Sequence, residues 1–135
     1  MKTHIIFVSV LIFVFVISVN TLPNADKDIP TEIINAFKTG NSEQLAKYFN
    51  NSVELLILTN ENVYNKTQAK QIVKDFFSTH TPSGFTIIHE GGKQGSNFAI
   101  GKLTTNNGTF RVYVLLKLSN SKQYIQQLRI ENEAG

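Results

Sequence analysis

The residues able to do chemistry in this sequence are few and scattered. Beyond His4, the histidines are His80 and His89. His89 precedes Glu90 and a Gly91-Gly92 pair, and an imidazole there can titrate near neutrality, which suits a general base or a pH switch. The plainer reading of His89 is a polar residue at a strand end. His80 falls near the end of a helical pattern, where an imidazolium favours the helix dipole, so a structural role is expected. Two dispersed histidines with no pattern of carboxylates around them fall short of the three protein ligands of a catalytic zinc, and no metal or cofactor is expected. The chain contains no Cys, which excludes a disulfide scaffold, a thiolate metal site, a Cys nucleophile and a Cys-linked lipid. A Gly-x-Ser-x-Gly elbow is absent, and Gly95-Ser96 is flanked by turn residues. Gly91-Gly92-Lys93-Gln94-Gly95 has the composition of a phosphate loop, but no Lys-Ser/Thr pair follows, and a wide hairpin turn is expected. Lys66, Lys70 and Lys74 stand at i, i+4 spacing beside Asp75 and read as a solvated helix face. With 13 basic against 10 acidic residues, the charge balance points to no nucleic-acid partner.

The elements that must position these residues show in the hydrophobic periodicity. Ile29, Ile33, Ala36 and Phe37 predict a first helix over Ile29–Thr39, with Pro30 in its first turn and Gly40 as its left-handed cap. Asn41 or Ser42 caps a second helix, Ser42–Phe49, with Leu45, Tyr48 and Phe49 on its buried side. Val53–Leu58 reads as a strand, followed by a turn at Thr59–Asn62 and a brief return at Val63-Tyr64. A third helix begins near Asn65 or Thr67, turns Ala69, Ile72, Val73, Phe76 and Phe77 inward, and stops at Thr81-Pro82-Ser83-Gly84. Four strands follow from Phe85. Their turns fall at Gly91–Ser96, at Asn107-Gly108, whose Asn-Gly pair suits a type I′ hairpin, and at Asn120–Lys122. In the third of them Phe110, Val112, Val114, Leu116 and Leu118 alternate with Arg111, Tyr113, Leu115 and Lys117, so one face is apolar. Helices first and a meander afterwards specify an α+β domain with three N-terminal helices packed on a curved antiparallel sheet.

Met1–His4 carries one Lys and precedes an apolar run from Ile5 to Val19, which Asn20, Pro23, Asn24 and Asp26 end abruptly. This is the pattern of a secretory signal peptide, assigned to residues 1–21 with cleavage between 18 and 25, and residues 22–135 form a single domain. The run is shorter than the roughly 20 residues a spanning helix needs, so export to the periplasm or the outside, with no stable membrane span after cleavage, is expected, and an uncleaved anchor is the weaker alternative. Three glycosylation sequons, at Asn50, Asn65 and Asn107, read as coincidence in so Asn-rich a chain.

The stretch Ala36-Phe37-Lys38-Thr39-Gly40-Asn41 through Leu45-Ala46-Lys47-Tyr48-Phe49 to Ser52-Val53-Glu54, followed by Gln68-Ala69 and Phe76-Phe77, resembles the nuclear transport factor 2-like superfamily, a cone-shaped fold. Ala99-Ile100-Gly101-Lys102-Leu103, Phe110-Arg111-Val112-Tyr113-Val114 and Leu128-Arg129-Ile130-Glu131 resemble an uncharacterised exported family of that fold, found mainly in Bacteroidetes. The superfamily's ketosteroid isomerases carry a carboxylate base directly after a Val-Glu pair and a Tyr seven residues before the helix-one Gly. Here Leu55 and Ile33 occupy those places, and Glu54 points to the other face of its strand from its neighbours. Isomerase chemistry of that kind is not expected.

What remains is shape. A cone of helices on a concave sheet leaves an interior that aromatic rings line or fill, and Phe37, Tyr48, Tyr64, Phe77 and Phe98 are the candidate ligand-binding residues. Tyr48 and Tyr64 are the more telling of these, because a buried phenol needs a hydrogen-bond partner that a ligand can supply. On the opposite sheet face Arg111, Tyr113 and Leu115 form a mixed strip suited to a symmetric homodimer. The sequence thus reads as an exported, non-catalytic module binding a small apolar ligand or a partner segment. The alternatives are an isomerase-, cyclase- or hydrolase-like enzyme using His89 or Glu90, and a purely structural dimerisation domain.

Overall fold

A computed structural model describes residues 28–133, so the leader expected at 1–21 and its cleavage point lie outside the described residues. The chain order is α1 (Thr31–Thr39), α2 (Ser42–Ala46), β1 (Phe49–Ile57), β2 (Asn60–Asn65), α3 (Lys66–Thr79), β3 (Pro82–Lys93), β4 (Ser96–Thr105), β5 (Gly108–Ser119) and β6 (Lys122–Asn132). This is the α+β layout expected, with one change to the sheet. Its order is β2-β1-β6-β5-β4-β3, and β1 and β6 run parallel, so the sheet is mixed rather than wholly antiparallel. The meander returns β6 to the open side of β1, whose other side β2 has already taken, and the two meet in the same direction.

Local chemistry explains most boundaries. Gly40 at φ 66° closes α1, and the Asn41 side chain accepts from Gln44 N to open α2. Pro30 is extended and caps α1 instead of entering its first turn, so the helix starts at Thr31. Helix α2 stops at Ala46, three residues before the expected end. Phe49 there leaves the helix to pair with Ile125, and the Tyr48 carbonyl accepts from Ile125 N at 2.6 Å, so sheet hydrogen bonds replace helical ones. Asn65 and Gln68 form a reciprocal capping box at the start of α3.

The hairpins depart from expectation in an instructive way. The β1–β2 turn is Leu58-Thr59, with Leu58 at φ 59°, and Asn60–Asn65 is all strand. Pro82, Ser83 and Gly84 belong to β3, and Lys93 pairs with Ser96, so the turn there is tight rather than wide. Thr105 pairs with Gly108, which makes Asn106-Asn107 the β4–β5 turn, and neither of those residues has positive φ. The two adjacent positive φ values that a type I′ turn requires occur at Asn120 and Ser121 instead.

One face of the sheet packs on the helices. Leu103, Val112, Val114, Ile125, Leu128 and Ile130 meet Ile33, Phe37, Leu45, Val73 and Phe77 in a single core. Ile125 and Leu128 share that face although three positions separate them, because a bulge between Leu115 and Leu116 absorbs Gln126. Leu118 continues the apolar alternation but is 40% exposed at the end of β5.

Candidate functional site

The five expected ligand-lining residues separate into three places. Phe37 and Phe77 are 0% and 6% exposed and meet edge to face at 6.2 Å, while Phe85 lies on Phe37 at 4.8 Å. These rings fill the interior between helices and sheet. Tyr64 sits half-buried on the edge strand β2, opposite Val53, and packs against the core. Phe98 lies on the far side of the sheet. Its neighbours Asn97 and Ala99 are buried toward the helices, so strand alternation turns Phe98 outward. Tyr48 is half-buried at a groove, where its hydroxyl donates to Glu32 Oε2 at 3.1 Å. Burial first, then the hydrogen bond to Glu32 and that carboxylate's charge, raise the Tyr48 pKa above the ordinary tyrosine value.

The histidines are likewise apart. His80 caps α3, its N–H donating to Phe76 O, and its ring stacks on Phe76 at 4.4 Å and meets the edge of Phe110 at 5.0 Å. Its Nδ1 lies 3.1 Å from Phe76 O and 2.8 Å from Thr79 Oγ1, so the ring is held as part of the helix end. His89 and Glu90 point to opposite faces of β3. Glu90 pairs with Ala99 on the helix side, where its Oε1 accepts from Ile29 N at 3.5 Å, whereas His89 pairs with Ile100 on the outer face. They do not share a cavity. Leu55 and Ile33, at the positions of the isomerase groups, are both buried in the core. Two of the sequon amide nitrogens are engaged, Asn50 Nδ2 donating to Gln126 Oε1 at 3.1 Å and Asn107 Nδ2 to Thr79 O at 2.8 Å, while Asn65 uses its Oδ1 to cap α3.

The outer face of the sheet is where aromatic side chains gather. His89, Ile100, Tyr113 and Arg129 stand in one row of cross-strand partners, and Gly91, Phe98, Leu115 and Gln127 in the next. Phe98 stacks on Tyr113 at 6.0 Å and lies 5.6 Å from His89. Gly91 makes this possible, since a Cβ there would stand 2.7 Å from the Phe98 ring. Charges of both signs edge the strip. Arg129 reaches Glu131 at 3.4 Å and Glu61 at 3.8 Å, and Lys102 reaches Glu133 at 3.8 Å. Arg111 is exposed beside them. Among the described residues no group of three or more His, Cys, Asp or Glu side chains is placed to hold a metal ion, and no helix is long and apolar enough to cross a membrane.

The helical cone over a curved sheet, with its filled interior and aromatic outer face, defines a nuclear transport factor 2-like, or cystatin-like, domain. A family model for a domain of unknown function, DUF4783, matches residues 30–131, and the chain belongs to that family. It is similar to the crystal structure of a DUF4783 family protein from Bacteroides ovatus, with 36% identity over 79% of this chain and 97% of that one, at a TM-score of 0.76. A family protein from Bacteroides fragilis is 39% identical over 78% of this chain and 100% of that one, at a TM-score of 0.74. A domain of unknown function with a cystatin-like fold from Nostoc punctiforme, 10% identical over 78% of this chain and 73% of that one, shares the fold alone at a TM-score of 0.60. No curated protein matches the chain.

Proposed function

We propose that the protein is an exported, non-catalytic association module that pairs with a second copy through the outer face of its sheet. The observation that carries this reading is the strip of His89, Phe98, Ile100, Tyr113 and Leu115 across β3, β4 and β5. Rings stacked on an open sheet face present large, rigid, desolvatable area at little entropic cost, and interface cores favour such residues. Four strands at about 4.8 Å spacing, each rising about 3.3 Å per residue over roughly ten residues, span a flat area of roughly 600 Å² before side-chain relief. That approaches the ~800 Å² per partner of a stable complex. Mixed charges at the edge suit a two-fold arrangement, in which each copy offers both signs to the other. A non-catalytic role is supported by the separation of His89 from Glu90 and by the apolar residues at the two isomerase positions.

Light scattering coupled to size-exclusion chromatography tests the pairing. The protein is expected to run as a dimer, and Tyr113→Asp as a folded monomer, because the change removes the ring stacked on Phe98 and puts a charge that must be desolvated at the centre of the contact. A wild-type monomer at tens of micromolar would remove the reading. Export is checked separately, by finding the N-terminus of protein recovered outside the cytoplasm between residues 18 and 25.

A further inference from the structure

A groove of about 540 Å³ opens where α1, the α2–β1 link and the start of α3 meet the first residues of β6. Its size lies within the range of small-molecule sites. Lys47, Lys66 and Lys122 line it from three different elements, together with Tyr48 and Tyr124. A second groove of about 220 Å³ shares Lys47 and Lys66 and adds Lys70. Lys70 is neutralised by Glu43 at 3.5 Å, but among the described residues no carboxylate comes within ion-pair distance of Lys47, Lys66 or Lys122. Glu32 is the carboxylate of the larger groove, and its Oε2 accepts from Tyr48. Three lysines, two tyrosines and one carboxylate thus line a single concave surface.

From this juxtaposition we infer that the groove binds an acidic oligosaccharide, a sugar chain bearing carboxylate or sulfate groups. Ammonium groups on flexible stems attract anions spaced along a chain without demanding one geometry. Tyrosine rings offer apolar faces to sugar C–H groups, and Gln44 with the Glu32 carboxylate supplies acceptors and donors for hydroxyls. The groove contains no arginine, so it holds anions through point charges alone, and the chain's near balance of 13 basic against 10 acidic residues disfavours a nucleic-acid strand. A membrane surface is disfavoured too, because the exposed large apolar side chains, Val63, Ile88 and Leu118, lie outside the groove. This site is independent of the sheet-face pairing and stands or falls without it.

Calorimetry with the purified protein tests the inference, using a heparin hexasaccharide, an oligogalacturonate, neutral maltohexaose and a thymidine oligonucleotide of matched charge. Saturable binding of at least one acidic saccharide, weakened by added salt and absent for maltohexaose, is expected, and the two acidic probes separate sulfate from carboxylate. Each exposed ion pair accounts for roughly two- to five-fold in affinity, so Lys47→Gln, Lys66→Gln and Lys122→Gln together should weaken binding roughly eight-fold or more. Lys38→Gln, Lys93→Gln and Lys102→Gln together, which remove the same charge away from the groove, should change it less than two-fold. Circular dichroism of both triple variants verifies that the fold is kept. No binding of either acidic saccharide, equal or tighter binding of the oligonucleotide, or equal loss in the two triple variants would overturn the inference.

Discussion

Gly101 occupies a place where the sheet has no room for a side chain. A Cβ there would collide with the Phe85 ring, and that ring is pinned by Phe37 at 4.8 Å. Gly101→Ala should therefore cost about 1–3 kcal/mol, read as a lower urea midpoint at unchanged slope. Tyr48 gives a second residue-level expectation. Its raised pKa means the folded state holds the phenolic proton more tightly than the unfolded chain. The associated stability is complete below the ordinary tyrosine range and is lost as pH climbs through the unfolded and then the folded value. Because burial is the larger cause, Glu32→Gln should lower the Tyr48 ionisation only part of the way, which ultraviolet titration of tyrosinate would follow. An unchanged titration would show that the hydrogen bond to Glu32 has no effect. Single-residue reasoning from sequence succeeded for Gly40, whose left-handed cap is a local requirement. It failed for Phe98, although its buried neighbour Ala99 and the alternation through Leu103 held the signal that it points outward.

Among the elements, α3 depends on its start. Asn65 Oδ1 accepts from Gln68 N at 2.8 Å, and Gln68 Oε1 accepts from Asn65 N at 3.4 Å. Asn65→Ala should cost about 1 kcal/mol in thermal or denaturant unfolding, whereas Asn65→Asp should be nearly neutral. The other end of α3 is tied to the β4–β5 turn. Asn107 Nδ2 donates to Thr79 O, Thr81 N donates to Asn106 Oδ1 at 3.0 Å, and Asn106 N donates to Thr81 O at 3.0 Å. This tie accounts for the turn centring on Asn106-Asn107 rather than on the Asn-Gly pair, since both side chains bind across to the end of α3. The three helices and six strands were legible because periodicity is a local property. The end of α2 and the hairpin registers were not, since Phe49 and Tyr48 take their hydrogen bonds from β6, far along the chain.

At the scale of the whole molecule, the basic groove has no sequence signature. Lys47, Lys66 and Lys122 fall on separate elements; Lys66 and Lys74 are exposed as a solvated helix face should be, and only folding sets Lys122 of β6 beside Lys66. The parallel contact of β1 with β6 has a further meaning for how the protein is made. β6 is synthesised after the other five strands of this sheet, yet it sits near the middle with β1 on one side and β5 on the other. Until it emerges from the ribosome, β1-β2 and β3-β4-β5 are two fragments with no strand to join them, and Leu128 and Ile130 are missing from the core. Ribosome-bound chains ending before Lys122 should be digested rapidly by protease, and chains extended about 30 residues past Asn132 to clear the exit tunnel should resist it. Long-range pairing completed this late also makes folding slow. A chain with this connectivity cannot complete its sheet until translation has passed Asn132.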